Sequence, residues 1–102
     1  MEVKDCHGRL EIALPGVLDL PAAAELRDLL LDAAARDTSA DVVLDGSAVA
    51  RASTAAIQVM LAGTAALKLA ARRLELEGAS DALVVAFQHL GLASDLETLI
   101  SA

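Results

Sequence analysis

Apolar and polar residues alternate from Arg9 to Leu14, with Leu10, Ile12 and Leu14 on one side and Arg9, Glu11 and Ala13 on the other. A period of two puts the first three on one face of a half-buried strand. A shorter β-like piece, Glu2 to Asp5, precedes it across His7-Gly8, so the two predict a hairpin. Pro15-Gly16 ends the second strand. The period then lengthens. Leu26, Leu29, Leu30 and Ala33 recur at helical spacing, while Glu25, Arg27, Asp28 and Asp32 fall on the opposite side. Asp19 can cap this helix. Pro21 suits its first turn, where a missing N–H has no intrahelical partner to lose. Asp37 to Ser39 reads as a loop.

The stretch Ala40 to Leu44 is nearly all apolar and closes on Asp45-Gly46, as a central strand covered on both faces would. A loop from Gly46 to Ser53 follows. The second helix spans about Thr54 to Ala71, with Ile57, Met60, Leu61, Thr64, Leu67 and Ala71 as its inward stripe. It is apolar almost all round, which predicts the most buried helix of the set. Arg73 to Glu77 alternates again with Leu74 and Leu76 inward, and Gly78 breaks it. Strand, helix, strand in this order implies a parallel pair joined by a right-handed crossover. Ser80 caps a third helix striped by Leu83, Val84, Phe87 and Leu90, with Gly91 just past its end. Ser94 to Ile100 forms a last short helix, with Leu96, Leu99 and Ile100 inward. The order β-β-α-β-α-β-α-α predicts an α/β fold: a small mixed four-stranded β-sheet with about four helices packed on one face. With no repeat, linker or break in composition, residues 1–102 read as one domain.

Composition then narrows the function. The chain is 56% apolar and 23% charged, which fits a globular protein and argues against disorder. No apolar run reaches the roughly 18 residues that span a bilayer, so direct membrane insertion is not expected. The N-terminus has an acid at position 2 and no apolar core, unlike a secretory signal, and the expected location is cytoplasmic. A net charge of −7 argues against nucleic acid. The single basic cluster, Lys68, Arg72 and Arg73, falls at the end of the second helix, where cations complement the dipole. Cys6 is the sole cysteine, so no internal disulfide forms. Cys6 and His7 together cannot complete a zinc site. His7 reads as a turn residue and His89 as a helix-end residue. No nucleophile–base pair, phosphate-cradling glycine loop, metal set or cofactor motif stands out, and the chain reads as a non-enzyme without a cofactor. An enzyme or ligand-binding domain of another family would need a polar pocket at the carboxyl ends of the strands, near Asp45.

The remaining candidate is "RASTAAIQVMLAG", residues 51–63. A hydroxyl residue ahead of an apolar helix is an ordinary N-cap. The same position also tolerates a phosphate, because free amides and the helix dipole favour negative charge there.

The arrangement resembles the STAS domain, the fold of bacterial anti-sigma factor antagonists. That family carries a strand ending in aspartate, a short loop, and "D-S-[ST]-G-[LI]" opening a helix. "VVLDGSAVARASTAAIQVML" matches in spacing: Asp45 falls on the strand-end aspartate, Val49 on the apolar loop residue and Ile57 on the first large apolar residue of the helix. Thr54 then takes the place of the phosphorylated serine and Ser53 that of the preceding aspartate. Ala55 stands for the next hydroxyl and Ala56 for the glycine. "LDLPAAAELRDLL" is similar to the family's first helix with its lead-in, and "ALVVAFQHLGL" to its third. The threonine and the "AIQVML" that follows look like STAS proteins encoded with chemotaxis genes. They also look like the STAS subunit of phospholipid-transport ABC systems, where a threonine at this place contacts the ATPase. The resemblance implies a non-catalytic, cytoplasmic protein-binding module. Its partner would be an anti-sigma kinase, a chemotaxis signalling protein or an ABC ATPase. It implies phosphorylation at Thr54, with Ser53 as the alternative acceptor, and a partner face formed by Asp19, Leu20, Arg51, Ser53 and Gln58.

Overall fold

The computed structural model describes residues 1, 3–6, 8–36 and 38–100. The chain opens with β1 (Val3–Cys6) and β2 (Arg9–Ala13), which pair antiparallel with Val3 opposite Ile12. His7, expected in their turn, and Glu2, expected to start the first strand, lie outside the described residues, as does Asp37. A two-residue strand, β3 (Val17–Leu18), leads into α1 (Leu20–Ala35). Asp19 caps α1: the Ala22 N–H donates to Asp19 Oδ1 at 3.0 Å. Then come β4 (Asp41–Asp45), a second two-residue strand β5 (Arg51–Ala52), and α2 (Thr54–Leu69). β6 (Leu74–Glu77), α3 (Asp81–His89) and α4 (Ala93–Ile100) complete the chain.

The main sheet has the order β1-β2-β4-β6, with β4 parallel to both β2 and β6. This is the predicted mixed four-stranded sheet, and four helices accompany it. Register explains the core. Leu10, Val42 and Leu74 form one cross-strand row, and Ile12, Leu44 and Leu76 the next, all buried beneath the helices. Glu11, Val43 and Glu75 form a row on the opposite face. Val43 is buried there too, between two carboxylate-bearing neighbours that are themselves half-buried.

Several sequence expectations are corrected. Arg51–Ala52, expected in a loop, pairs with Val17–Leu18 as a separate parallel ribbon. Two residues are too short to show any period. α2 stops at Leu69 rather than Ala71. The Ala71 N–H donates to Lys68 O at 3.0 Å and the Arg72 N–H to Leu67 O at 2.9 Å, a Schellman closure with Ala71 at φ +56° in the place usually taken by glycine. α2 carries more buried residues than any of the other three helices, as its composition predicts, but it keeps an open side. Ile57, Met60, Gly63 and Leu67 face the core, Leu61 and Thr64 are only half-buried, and Ala62, Ala65 and Leu69 are exposed. Gly63 brings α1 close: a Cβ there would come within 2.7 Å of Leu30 Cδ1. Leu90 and Ile100, expected inward, are exposed: Leu90 is the residue that caps α3 and Ile100 the last residue of α4. Ser80 and Gly91 behave as expected, the first accepting the Leu83 N–H at 3.2 Å and the second turning at φ +71°.

The basic cluster is also corrected. Lys68 lies in the last turn of α2 and is exposed, as the dipole argument requires. Arg72, in contrast, is only 4% exposed and serves a different helix. Its Nη1 donates to Ala33 O, near the end of α1, at 2.8 Å, and its Nε donates to Ala40 O at 2.7 Å. α1 has no basic residue in its own last turn, so Arg72 supplies the cation from 39 residues away.

Candidate functional site

The β3–β5 ribbon positions the candidate residues. Leu18 pairs with Ala52, and each strand runs straight into a helix cap, Asp19 for α1 and Ser53 for α2. Main-chain bonds hold the two together: the Ala50 and Arg51 N–H groups donate to Gly16 O at 2.7 and 3.2 Å, and the Ser53 N–H to Leu18 O at 2.8 Å. Two helix N-termini therefore start side by side, and their dipoles place partial positive charge at one end of the molecule.

Ser53 is the cap of α2: its Oγ accepts the Ala56 N–H at 3.2 Å. Thr54 is the first helical residue and is exposed, and its hydroxyl has no hydrogen-bond partner among the described residues. The two adjacent hydroxyls thus have different duties. A surface hollow of about 420 Å³ is lined by Val17, Leu18, Asp19, Arg51, Ala52 and Ser53. It gathers three of the residues expected at the partner face, Asp19, Arg51 and Ser53. Leu20 stands beside them at 69% exposure, an apolar side chain left in water at the first turn of α1.

Gln58 belongs to a second concavity. A groove of about 330 Å³ runs between α1 and α2, with Leu30, Leu31, Ala55, Gln58, Val59 and Ala62 among its lining residues, and it is largely apolar. Ser53 lines the first hollow and Ala55 the second, so Thr54 sits at the junction of the two. The groove was not foreseen. Its signal in the sequence was the surplus of apolar positions on α2, which reads equally well as a deeply buried helix.

Asp45 and Val49 shape the loop that leads to the ribbon. Ser47 donates its main-chain N–H at 3.0 Å and its hydroxyl at 2.7 Å to Asp45 Oδ1. These two bonds, the main-chain one foremost, hold the Asp45 carboxyl below its ordinary pKa. Gly78, at φ +62°, lets β6 turn away beside that carboxylate, and a Cβ there would lie 3.5 Å from Oδ1. Val49 is buried and anchors the loop to the core. Asp45 is thus engaged in a turn and lines none of the concavities described above. Among the described residues, no group of three or more His, Cys, Asp or Glu side chains is placed to hold a metal ion. No helix described is long and apolar enough to cross a membrane.

The family model described as "Mlab, STAS domain" matches residues 5–100. The chain belongs to the STAS domain family. No curated protein matches it. STAS domains are in general non-catalytic modules of protein–protein interaction. The matched residues include Thr54 and those lining the ribbon hollow and the α1–α2 groove.

Proposed function

We propose that this STAS domain is a docking module of bacterial signalling. It engages a partner protein through the Thr54 end of α2 and is switched by phosphorylation of Thr54. The supporting observation is the division of labour between adjacent hydroxyls. Ser53 is committed to capping, whereas Thr54 is exposed with a hydroxyl bonded to no described residue. A phosphate added to Thr54 would sit beside two helix N-termini, where the local field favours negative charge and the fold need not open. It would bring about two negative charges onto a face whose partner contacts are Asp19, Leu20, Arg51, Ser53 and Gln58.

The test is incubation with candidate protein kinases, those of any neighbouring genes first, followed by mapping of modified residues by mass spectrometry. Label at Thr54, lost in Thr54→Ala and kept in Ser53→Ala, supports the switch. Absence of label, with partner binding unchanged in Thr54→Ala and Thr54→Glu, overturns it.

A second reading is favoured by a different observation. By the resemblance, Ala55 and Ala56 stand in place of the family's hydroxyl and glycine, and the groove beside Thr54 is lined by Ala55, Val59 and Ala62 together with the exposed Gln58. That groove suits constitutive packing against another protein. On this reading the chain is an adaptor subunit of a phospholipid-transport ABC ATPase, with Thr54 as a contact and helix-start residue. Affinity capture from native lysate separates the readings. An ABC ATPase among the captured proteins supports the adaptor, and a chemotaxis signalling protein or an anti-sigma kinase supports the switch.

A further inference from the structure

At the far end of α2, about 20 Å from Thr54 at 1.5 Å rise per residue, a third concavity of about 450 Å³ opens between the last turns of α2, the start of β6 and α4. Its polar lining is Thr64, Lys68, Arg72, Arg73 and Thr98. Three of the eight cations of a chain with net charge −7 meet here, and no carboxylate lines the hollow among the described residues. Both threonine hydroxyls are occupied, Thr64 donating to Met60 O at 2.9 Å and Thr98 to Ser94 O at 3.1 Å. The donors left for a ligand are therefore the cations.

Arg72 decides the sign of that ligand. Its guanidinium is buried, and Nε and Nη1 are satisfied by carbonyls, yet Nη2 is buried with no hydrogen-bond partner. It forms no ion pair with any described acid. A buried cation normally has a counter-ion, and a buried guanidinium normally fills its fork of donors. Lys68 and Arg73, both exposed, flank the same hollow and can hold an anion over it. The chemistry common to a buried guanidinium and two flanking cations is recognition of a tetrahedral oxyanion.

We propose that this hollow binds a phosphate group through the exposed Lys68 and Arg73, over the buried positive charge of Arg72, at a site separate from the docking face. Free phosphate and a phosphomonoester share this chemistry. The test is a titration of the ¹⁵N-labelled protein with inorganic phosphate and, in a second arm, with glycerol 3-phosphate, at constant ionic strength. Saturable amide shifts confined to the region around Lys68, Arg73 and Thr98 are expected. The tighter of the two probes identifies the source of the phosphate. In the double variant Lys68→Ala/Arg73→Ala, whose side chains are exposed and dispensable for the fold, the dissociation constant should rise roughly tenfold or more. In Thr54→Ala it should not change. Shifts that fail to saturate with either probe, or that persist unaltered in the double variant, overturn the proposal.

Discussion

Ser53 Oγ accepts the Ala56 N–H at 3.2 Å, while the hydroxyl of Thr54, its immediate neighbour, faces solvent and bonds to no described residue. Stability and binding should therefore respond to the two positions in opposite order. Ser53→Ala removes a cap and should cost about 1 kcal/mol. Thr54→Ala should leave stability within about 0.5 kcal/mol, as an exposed substitution does. Urea denaturation gives both values, and affinity for a captured partner should fall further in Thr54→Ala. A larger stability loss at Thr54 than at Ser53 would refute this assignment of roles.

Ala71 closes α2 in the left-handed region at φ +56°. A Cβ in that conformation costs roughly 1–2 kcal/mol, partly offset by the greater unfolded-state freedom of glycine. Ala71→Gly should stabilise the protein by about 0.5–1 kcal/mol. A shift of the urea midpoint upward with unchanged slope is the result to look for.

Asp45 links stability to pH. Its folded-state pKa lies below the unfolded value because Ser47 donates two hydrogen bonds to the carboxylate. The sign follows: the contribution is fully present above the unfolded carboxylate pKa of about 3.9 and is lost as pH falls through the lower folded value. Since Asp45 is exposed, water screens the effect to a fraction of a kcal/mol. Ser47→Ala removes the hydroxyl bond but keeps the larger main-chain one, so it should make this part of the acid limb shallower without abolishing it, measured as the difference in unfolding free energy between neutral and acidic pH. An acid limb of the same depth in Ser47→Ala would contradict the linkage.

Arg72 joins the end of α1 to the residue before β4 through two carbonyls. Arg72→Met keeps the apolar stem but removes both bonds, leaving Ala40 O without this donor and Ala33 O with only the Arg36 N–H at 3.3 Å, and should destabilise by about 1–3 kcal/mol. Arg72→Lys should recover only part of that loss, since one ammonium cannot reproduce two fixed guanidinium bonds. Equal stabilities for the Lys and Met variants would show that the forked geometry is irrelevant.

Much of this architecture was written in the hydrophobic spacing. Leu10, Ile12 and Leu14 face inward as their alternation implies, and the caps at Asp19 and Ser80 fall where short polar side chains precede apolar runs. What stayed hidden depends on main-chain atoms or on distant residues. The ribbon of Val17–Leu18 and Arg51–Ala52 is held through Gly16 O and Leu18 O, and carbonyl oxygens leave no imprint on residue type. The role of Arg72 rests on carbonyls 39 and 32 positions away, so its place beside Lys68 and Arg73 suggested a surface cluster. Period alone likewise could not tell the buried side of α2 from its open one, because Ala62, Ala65 and Leu69 are as apolar as the residues beneath them.

The two-residue ribbon has a consequence for how such a module diversifies. Leu18 is sealed in the core and the fastening is done by peptide groups, while Val17 and Arg51 point outward. Substitutions at those two outward positions can rewrite the chemistry of the rim without altering the spacing of the helix starts. Partner choice is thereby free to drift over generations on a mount that stays still.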